Sequence, residues 1–338
     1  MKLAVLLVAL FASCSAPLPE LHVLNWADYF APDTIANFEK EFRCKVVVDY
    51  FDSPDGLRVK MEHVPSGYDV VFPSDEIVPL MVEGGLLDRL DLTLLPNLVN
   101  IDAKFRGLSF DPSNSYTIPY MWGTTGVAWQ KKLVPEGISS WKQLFTLVAS
   151  RKVTFLDDGR EVLVAAMFAN GDDPRRMTQD SIRRAIELVA THKPTGYDSA
   201  PRQRLVVGDY HVSHAFSGDA LQASTAKERV GDMGFAIPSE GGTIYVDNMA
   251  IPTAASHRQL AHAFLNYLLR PEVSAAISNE VQYGNPNASA QHLISNEVRS
   301  NPIANPSISE QARCVFLPVL TSVERGWVEK AWAEIKSR

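Results

Sequence analysis

Cysteine is scarce in this sequence: only Cys14, Cys44 and Cys314 occur among 338 residues, and no two of them are neighbours. The chain therefore has no Cys-x-x-Cys pair, which excludes a structural zinc site made of cysteines. A disulfide between Cys44 and Cys314 would suit an exported protein, and two buried free thiols are at least as good an interpretation.

Positive charge is also in deficit, with 32 Lys and Arg against 39 Asp and Glu and a formal net charge of −7. This balance argues against a nucleic-acid partner and is compatible with cationic ligands. The hydrophobic content of 46% and the charged content of 21% are typical of an ordinary globular protein. The length is enough for about two domains, each with its own core.

Apolar runs of membrane-spanning length, about 20 residues, are absent. The run from Leu3 to Ala12 has the length of the apolar part of a signal peptide, and residues 1–16 are predicted to be one. The sequence FASC at residues 11–14 resembles a bacterial lipobox, in which Cys14 would carry the lipid. Ordinary cleavage nearby is the alternative. The predicted location is the periplasm, with anchoring to a membrane through lipidated Cys14.

Common catalytic motifs are missing as well: the sequence has no Gly-x-Ser-x-Gly, no P-loop and no His-Glu-x-x-His. His211 and His214 have metal-ligand side chains, but a spacing of three on a strand places them on opposite faces, so a shared metal is not expected. Asp157, Asp158 and Glu161 could form an acid–base pair or a Ca²⁺ site, although nothing else in the sequence completes either one. No cofactor and no metal are predicted.

The chain does contain a regular alternation of strand-like and helix-like segments. In its first part, strands are predicted at residues 21–26, 45–51 and 68–74, and helices at residues 32–42, 57–64 and 76–82. A second unit is predicted to contain strands at residues 153–156, 211–216 and 233–237 and helices at residues 159–168, 181–191 and 218–225. Later helices are expected from a cap at Ser256 onward. This alternation predicts an α/β fold with a largely parallel sheet.

Two extended stretches, residues 116–130 and 241–252, are predicted to connect the two units, the first with an interruption at residues 123–126. The prediction is a protein of two lobes with a cleft and paired hinge strands. Lobe 1 would comprise residues 20–122 and 248–291, and lobe 2 would comprise residues 123–247 and 292–338.

Asp247 is a single acid within the second of these stretches, which otherwise reads as a buried strand. Because side chains alternate along a strand, Tyr245, Asp247 and Met249 are expected to share one face. A carboxylate beside an aromatic ring suits an organic cation. A strand-end Asp that caps a neighbouring turn is the alternative.

Further acids and rings fall where strands are predicted to end. They are Trp26 with Asp28, Ser74 with Glu76, Asp158 with Glu161, and Phe216 with Asp219. In open α/β sheets, ligands bind at the carboxyl ends of strands. The Asp158-x-x-Glu161 spacing also fits a helix capping box, so both interpretations are open.

Several segments together resemble the spermidine/putrescine-binding proteins of bacterial ABC importers. They are LNWADYFAPDTIANFEKEF (24–42), YDVVFPSDEIVPLM (68–81), YTIPYMWGTTGVAW (116–129), LDDGREV (156–162), FSGDALQAS (216–224), IPSEGGTIYVDNMAIP (237–252) and residues 264–290. The resemblance covers nearly all of the chain after the signal peptide. It implies a type II periplasmic-binding-protein fold, in which two lobes, each a mixed sheet flanked by helices, close on a linear polyamine.

Carried over by position, the resemblance implies three kinds of ligand contact. Aromatic walls would be formed by Trp26, Tyr29 and Tyr283. Amines would be held by Asp28, Asp158, Glu161, Asp219 and Asp247, with Asp158 and Glu161 at one terminal amine and Asp247 at an inner amine. Ser74 would be a polar residue of the pocket.

Three positions depart from the family pattern. Phe216 and Tyr245 stand where Trp is frequent, and Glu76 stands where an aromatic residue is usual. An extra acid and smaller rings favour a longer or more highly charged polyamine.

The predicted function is that of a substrate-binding protein which delivers spermidine, putrescine or both to an ABC importer, without catalysis. Its partners would be the polyamine and the permease subunits. It is expected to be a monomer, to bind no nucleic acid and to touch the membrane only through its lipid. The alternatives are binding of another small organic cation or amino-acid derivative, a chemosensor partner, and a secreted hydrolase that uses Asp158 and Glu161.

Overall fold

The structure, a computed structural model, describes residues 17–51, 53–64, 67–199, 201–226 and 232–338. The predicted signal peptide and Cys14 lie outside these ranges. The strands are β1 (Glu20–Trp26), β2 (Lys45–Phe51), β3 (Val70–Val71), β4 (Thr117–Gln130), β5 (Val153–Leu156), β6 (Gly196–Asp198), β7 (Val212–Phe216), β8 (Met233–Ala236), β9 (Gly242–Ala250) and β10 (Cys314–Phe316).

The α-helices follow in chain order. They are α1 (Thr34–Phe42), α2 (Pro54–His63), α3 (Val78–Glu83), α4 (Trp141–Leu147), α5 (Gly159–Asn170), α6 (Gln179–Thr191), α7 (Arg202–Val207), α8 (Ser217–Thr225), α9 (Arg258–Leu268), α10 (Pro271–Val281), α11 (Asn296–Arg299), α12 (Ile308–Gln311) and α13 (Ser322–Ser337). Short 3₁₀ helices occur at Leu92–Leu94, Pro96–Asn100, Ala103–Phe105 and Ala288–Ala290.

Local sequence explains where several helices begin and which face they bury. Helix α4 begins after Ser140, whose hydroxyl accepts a hydrogen bond from the Gln143 backbone N–H at 3.0 Å. Helix α6 begins with a capping box between Thr178 and Ser181, and it buries Ile182, Ala185, Ile186 and Val189, the face that the sequence predicts.

The ten strands of the described chain form one mixed sheet in the order β2-β1-β3-β9-β4-β7-β5-β6, with β10 beside β9 and β8 beside β4. β1 pairs in parallel with β2 and β3, and β5 pairs in parallel with β6 and β7. We call β1–β3 with α1–α3, α9 and α10 the first half, and β5–β8 with α4–α8 and α13 the second half. The α/β prediction is thus confirmed, with antiparallel strands joining two parallel groups.

β4 and β9 join the two halves. Their antiparallel pairing runs from Thr117 opposite Ala250 to Thr124 opposite Ile244, and beyond it β4 pairs with β7 and β8. The predicted interruption at residues 123–126 is wrong, because β4 continues through it. Gly123 is a point of close packing instead: a Cβ there would overlap the hydroxyl of Tyr245.

Each half has its own apolar core. The first is built around Phe38, Phe72 and Phe264, and the second around Trp141, Phe145 and Phe155. Cys44 is buried in the first half and Cys314 is half-buried in β10, and both are free thiols, so the structure contains no bond between them.

Other differences from the sequence prediction are local. The third strand is only two residues long, and β6, β10 and α7 were not predicted. Ser256 does not cap α9, because that helix begins after His257 without a side-chain cap.

Candidate ligand-binding site

Residues at or just beyond the ends of β3, β5 and β7 contact β9, where the two halves meet. Ser74 follows β3 and forms an isolated antiparallel bridge with Asp247 of β9. On the other side of β9, Met121 of β4 is the partner of Asp247. The sheet register therefore fixes Asp247 between the two halves.

The carboxyl group of Asp247 is buried, with 6% of the residue exposed. Its Oδ2 accepts a hydrogen bond from the Tyr29 hydroxyl at 2.5 Å. Burial, and to a smaller degree the charge of Asp75, raises the pKa of Asp247 to about 7, against the lowering effect of the Tyr29 hydrogen bond. Within the described ranges no Lys, Arg or His forms an ion pair with Asp247. No cation of the described chain therefore balances its charge.

Aromatic rings surround this carboxyl group. Tyr29 meets Tyr283 edge-on with ring centroids 5.3 Å apart, and Tyr120 at 5.5 Å. Tyr245 contacts Phe216 at 5.2 Å and Tyr283 at 6.5 Å. Since Tyr29 and Tyr283 belong to the first half and Phe216 ends a strand of the second, the rings wall the junction from both sides. Their faces suit an organic cation.

Helix α8 reaches the same wall through its first turn. A Cβ on Gly218 would overlap the ring of Tyr283, so only glycine permits this approach. Further along α8, the Gln222 side chain donates to the Val281 carbonyl oxygen at 2.9 Å, and the Thr225 hydroxyl donates to Gln282 at 3.1 Å. These contacts hold the two halves together beside the rings.

Asp158 caps helix α5. Its Oδ1 accepts hydrogen bonds from the backbone N–H groups of Arg160 at 2.9 Å and of Glu161 at 3.0 Å. The capping interpretation of Asp158 is confirmed, while Glu161 does not complete a box. The Glu161 Oε1 accepts instead from the Thr243 hydroxyl of β9 at 2.9 Å.

Glu161 is itself a strongly perturbed acid. Burial, followed by the charge of Asp158, raises its pKa to about 8. Its Oε2 has no hydrogen-bond partner among the described residues and lies 3.8 Å from Nε2 of His214. That histidine is fully buried against Trp141, and burial lowers its pKa to about 3, so it is neutral. His214 therefore does not supply a positive charge to the Glu161 carboxylate.

Three polar residues follow β3. The Ser74 hydroxyl is buried without a partner in the described chain, and the Asp75 backbone N–H donates to the Val246 carbonyl at 2.9 Å. Burial raises the pKa of Asp75 to about 6. Glu76 lies 3.5 Å from Arg160, and burial together with the neighbouring acids raises its pKa to about 8.

Asp219, in the first turn of α8, lies at the other end of the junction. Burial raises its pKa to about 6, which the charge of Arg202 partly opposes. Asp28 is not brought into this group. It is exposed, with a left-handed φ of 54°, and lines an open cavity of about 580 Å³ together with Arg202 and Glu280. Trp26 packs against Phe51 of β2, with ring centroids 4.3 Å apart.

Sequence reasoning missed several residues of this region. Tyr120 donates its hydroxyl to the Tyr29 carbonyl oxygen at 2.5 Å, and Asp75, Arg160 and Thr243 also contact the site. The sequence could have indicated Asp75, because it lies between Ser74 and Glu76, which were both predicted to belong to the site. No such indication existed for Tyr120 or Thr243, which lie within otherwise buried strands.

Six carboxyl groups thus lie along the junction, and we call them the carboxylate cluster. Its members are Asp75, Glu76, Asp158, Glu161, Asp219 and Asp247. Five of them have raised pKa values because burial penalises their charged form. An arrangement of separated acids and aromatic walls is suited to a cation that carries several charges along an apolar chain. No metal-binding group of three His, Cys, Asp or Glu occurs in the part of the chain described.

This fold, in which two α/β halves are joined by paired strands, is that of the periplasmic binding proteins. The chain belongs to the bacterial extracellular solute-binding protein family, whose pattern it matches over residues 33–306. The implied fold and family are therefore confirmed. No helix in the described ranges has the length and apolar character needed to cross a bilayer.

Two curated relatives and one solved structure illustrate the similarity. The putrescine-binding periplasmic protein PotF of Escherichia coli (strain K12) is 36% identical over 337 residues, covering 94% of this chain and 91% of PotF. The putrescine-binding periplasmic protein SpuD of Pseudomonas aeruginosa (strain UCBPP-PA14) is 34% identical over 336 residues, covering 94% and 92%. The Tp0655 (TpPotD) lipoprotein of Treponema pallidum superposes with a TM-score of 0.83 at 28% identity, covering 94% of this chain and 100% of that one.

Proposed function

We propose that the protein binds a linear polyamine, such as putrescine or spermidine, between its two halves and delivers it to the permease of an ABC importer. The observation that carries this proposal is Asp247, a buried carboxyl group enclosed by tyrosine rings without a cation from the described chain. Burying such a charge is costly unless a partner arrives, and a ligand ammonium is that partner. The names of PotF and SpuD support the choice of ligand.

The ligand contacts proposed are the twelve residues selected from the sequence. They are Trp26, Asp28, Tyr29, Ser74, Glu76, Asp158, Glu161, Phe216, Asp219, Tyr245, Asp247 and Tyr283. The buried members are expected to contact the amines and methylenes directly. Asp28, which is exposed and lines the open cavity of about 580 Å³, is expected to act earlier by attracting the cation.

Closure of two lobes would complete the site. Lobe 1 is proposed to comprise residues 20–122 and 248–291, and lobe 2 residues 123–247 and 292–338, with β4 and β9 as hinges. The two large apolar cores support this division, and a smaller apolar cluster that contains Leu221, Ala275 and Ala290 joins the lobes. A ligand that contacts both lobes would favour the closed state because the open state offers fewer contacts.

The protein is further proposed to act as a monomer without catalysis, outside the cytoplasm and anchored through a lipid on Cys14. The lipoprotein nature of the similar Treponema protein supports the anchor. The engagement of Asp158 in capping α5 argues against its use as a catalytic acid.

Calorimetric titration tests the proposed ligand. The purified protein would be titrated with putrescine, spermidine and spermine, and with single amino acids as controls. Saturable binding of at least one polyamine at a single site, without binding of the amino acids, is the expected result. Absence of binding heat and of thermal stabilisation with all three polyamines would contradict the proposal.

A further inference from the structure

Arg160 is a buried cation that the site as proposed does not use. It is the second residue of α5, two positions after the capping Asp158, and its side chain is only 9% exposed. One end of the guanidinium, Nη2, donates to the Pro318 carbonyl oxygen, which belongs to the segment between β10 and α13. The other end, Nη1, lies 3.5 Å from Oε2 of Glu76. Arg160 is therefore anchored on one side and reaches across the junction on the other.

Glu76 belongs to the first half, two residues beyond Ser74 at the end of β3, whereas Arg160 belongs to the second half. Their ion pair consequently exists only when the halves are together. Burial raises the pKa of Glu76 most, and the charges of Asp158, Asp75 and Glu161 raise it further, while Arg160 lowers it. Arg160 is thus the cation that offsets negative charge at this end of the carboxylate cluster.

We propose that Arg160 is a specificity-determining residue that occupies the place of one ligand ammonium, so that the site favours diamines over triamines. This inference rests on the proposed polyamine function. Glu76, proposed above as a ligand contact, is the extra acid that by itself favours a more highly charged ligand. When it is ionised, its carboxylate is already paired with the guanidinium, so it contacts the ligand without holding an ammonium group. A third ligand ammonium entering here would lose Glu76 as a partner and would be repelled by Arg160.

Substitution of Arg160 tests this role. Arg160→Met keeps an unbranched apolar stem and removes the charge, which leaves Glu76 available to a ligand. The affinity for spermidine relative to putrescine, measured by calorimetry, is expected to rise by about tenfold. Arg160→Lys keeps the charge and is expected to retain the wild-type ratio. The double variant Arg160→Met/Glu76→Gln, which removes both charges, is expected to return toward that ratio.

Arg183→Met is the matched control, because it removes the same charge from the exposed surface of α6, where the Arg183 side chain is 61% exposed. The affinity of Arg183→Met for spermidine relative to putrescine should equal that of the wild type. An unchanged ratio in a folded Arg160→Met, or the same rise in Arg183→Met, would overturn the inference while leaving the proposed function intact. A wild-type protein that binds no polyamine would overturn both. Thermal unfolding establishes that each variant is folded. If Arg160→Met does not fold, Arg160→Lys tests the role of the charge independently. A changed ratio of spermidine to putrescine affinity in Arg160→Lys would also overturn the inference.

Discussion

At the scale of single residues, Asp247 connects burial with binding. The fold places its carboxyl group among rings and provides one hydroxyl donor, from Tyr29, and this arrangement leaves the charged form disfavoured. The same arrangement strengthens any contact with a ligand ammonium, because little water remains to screen it. The Asp247 carboxylate is thus unfavourable in the empty site and is a strong partner for a ligand ammonium in the occupied site.

Replacement of Asp247 by Asn should separate these two effects. We expect polyamine affinity to fall by at least about tenfold, because a charge-assisted contact becomes a neutral one. We expect the unfolding temperature without ligand to stay the same or rise, because a buried ionisable group is replaced by a neutral isostere. Calorimetry and thermal unfolding measure the two quantities.

Asp180→Asn is the control for Asp247→Asn, since it removes an acid whose side chain is 79% exposed on α6. It should leave the affinity unchanged. Wild-type affinity in Asp247→Asn would remove Asp247 from the site and with it the main support for the proposed ligand.

Residue patterns in the sequence predicted the site unevenly. The acids at strand ends were found because strand ends and acids are both visible locally. The contact between Tyr29 and Asp247 joins residues 218 positions apart, and the ion pair of Glu76 with Arg160 depends on how the halves meet. Neither contact follows from a local pattern. The sequence alone therefore indicated Glu76 as an extra acid for the ligand and did not show that Arg160 pairs with it.

At the scale of elements, periodicity predicted the long helices and strands well. β6 and β10 were missed because three residues are too few to show alternation. The glycines of β4 were interpreted as an interruption, whereas Gly123 serves the packing of Tyr245 within a continuous strand. Glycine in a sequence does not by itself distinguish a break from a close approach.

Gly218 of α8 provides an element-scale prediction of the same kind. Gly218→Ala should favour the helix itself, but its Cβ would overlap the Tyr283 ring and hinder the approach of α8 to the first half. We expect affinity for the ligand to fall by on the order of tenfold without loss of the folded state. Titration calorimetry would measure the affinity, and circular dichroism would show whether the variant is folded.

Gly326→Ala in α13 is the matched substitution, because a Cβ at Gly326 meets nothing within 4 Å. It should stabilise the protein by about 0.5–1 kcal/mol and leave binding unchanged. Equal affinities of Gly218→Ala and the wild type would show that close contact between α8 and Tyr283 is not needed for closure around the ligand.

At the scale of the whole molecule, the carboxylate cluster is expected to make the proposed closure depend on charge. Both halves and β9 contribute acids, so bringing the halves together removes water from several carboxylates at once. The first half supplies Asp75 and Glu76, and the second half supplies Asp158, Glu161 and Asp219. Without a ligand, protonation lowers the cost of this desolvation. With a ligand, its ammonium groups take over that role.

The sign of the pH dependence follows from the raised pKa values. Glu76 and Glu161 rise from 4.5 to about 8 and Asp247 from 3.8 to about 7, so the closed, empty protein binds more protons than a hydrated form. The free energy that these protons contribute to the closed, empty form, relative to the hydrated form, is therefore fully present below pH 4 and is lost as the pH rises through about 8. For one group with a pKa of about 8, the loss between pH 6 and pH 8 is on the order of 2 kcal/mol. His214, with a pKa of about 3, stays neutral in this window.

Raising the pH from 6 to 8 should consequently open the ligand-free protein, because opening rehydrates the carboxylates at lower cost than unfolding. Small-angle X-ray scattering should show a larger radius of gyration at pH 8 than at pH 6 without ligand. With saturating polyamine the radius should be small at both pH values, since ammonium groups remain charged throughout this range. Glu161→Gln removes one titrating group and should weaken the response. A radius that is independent of pH without ligand, or one that decreases toward pH 8, would mean that the buried acids do not govern closure.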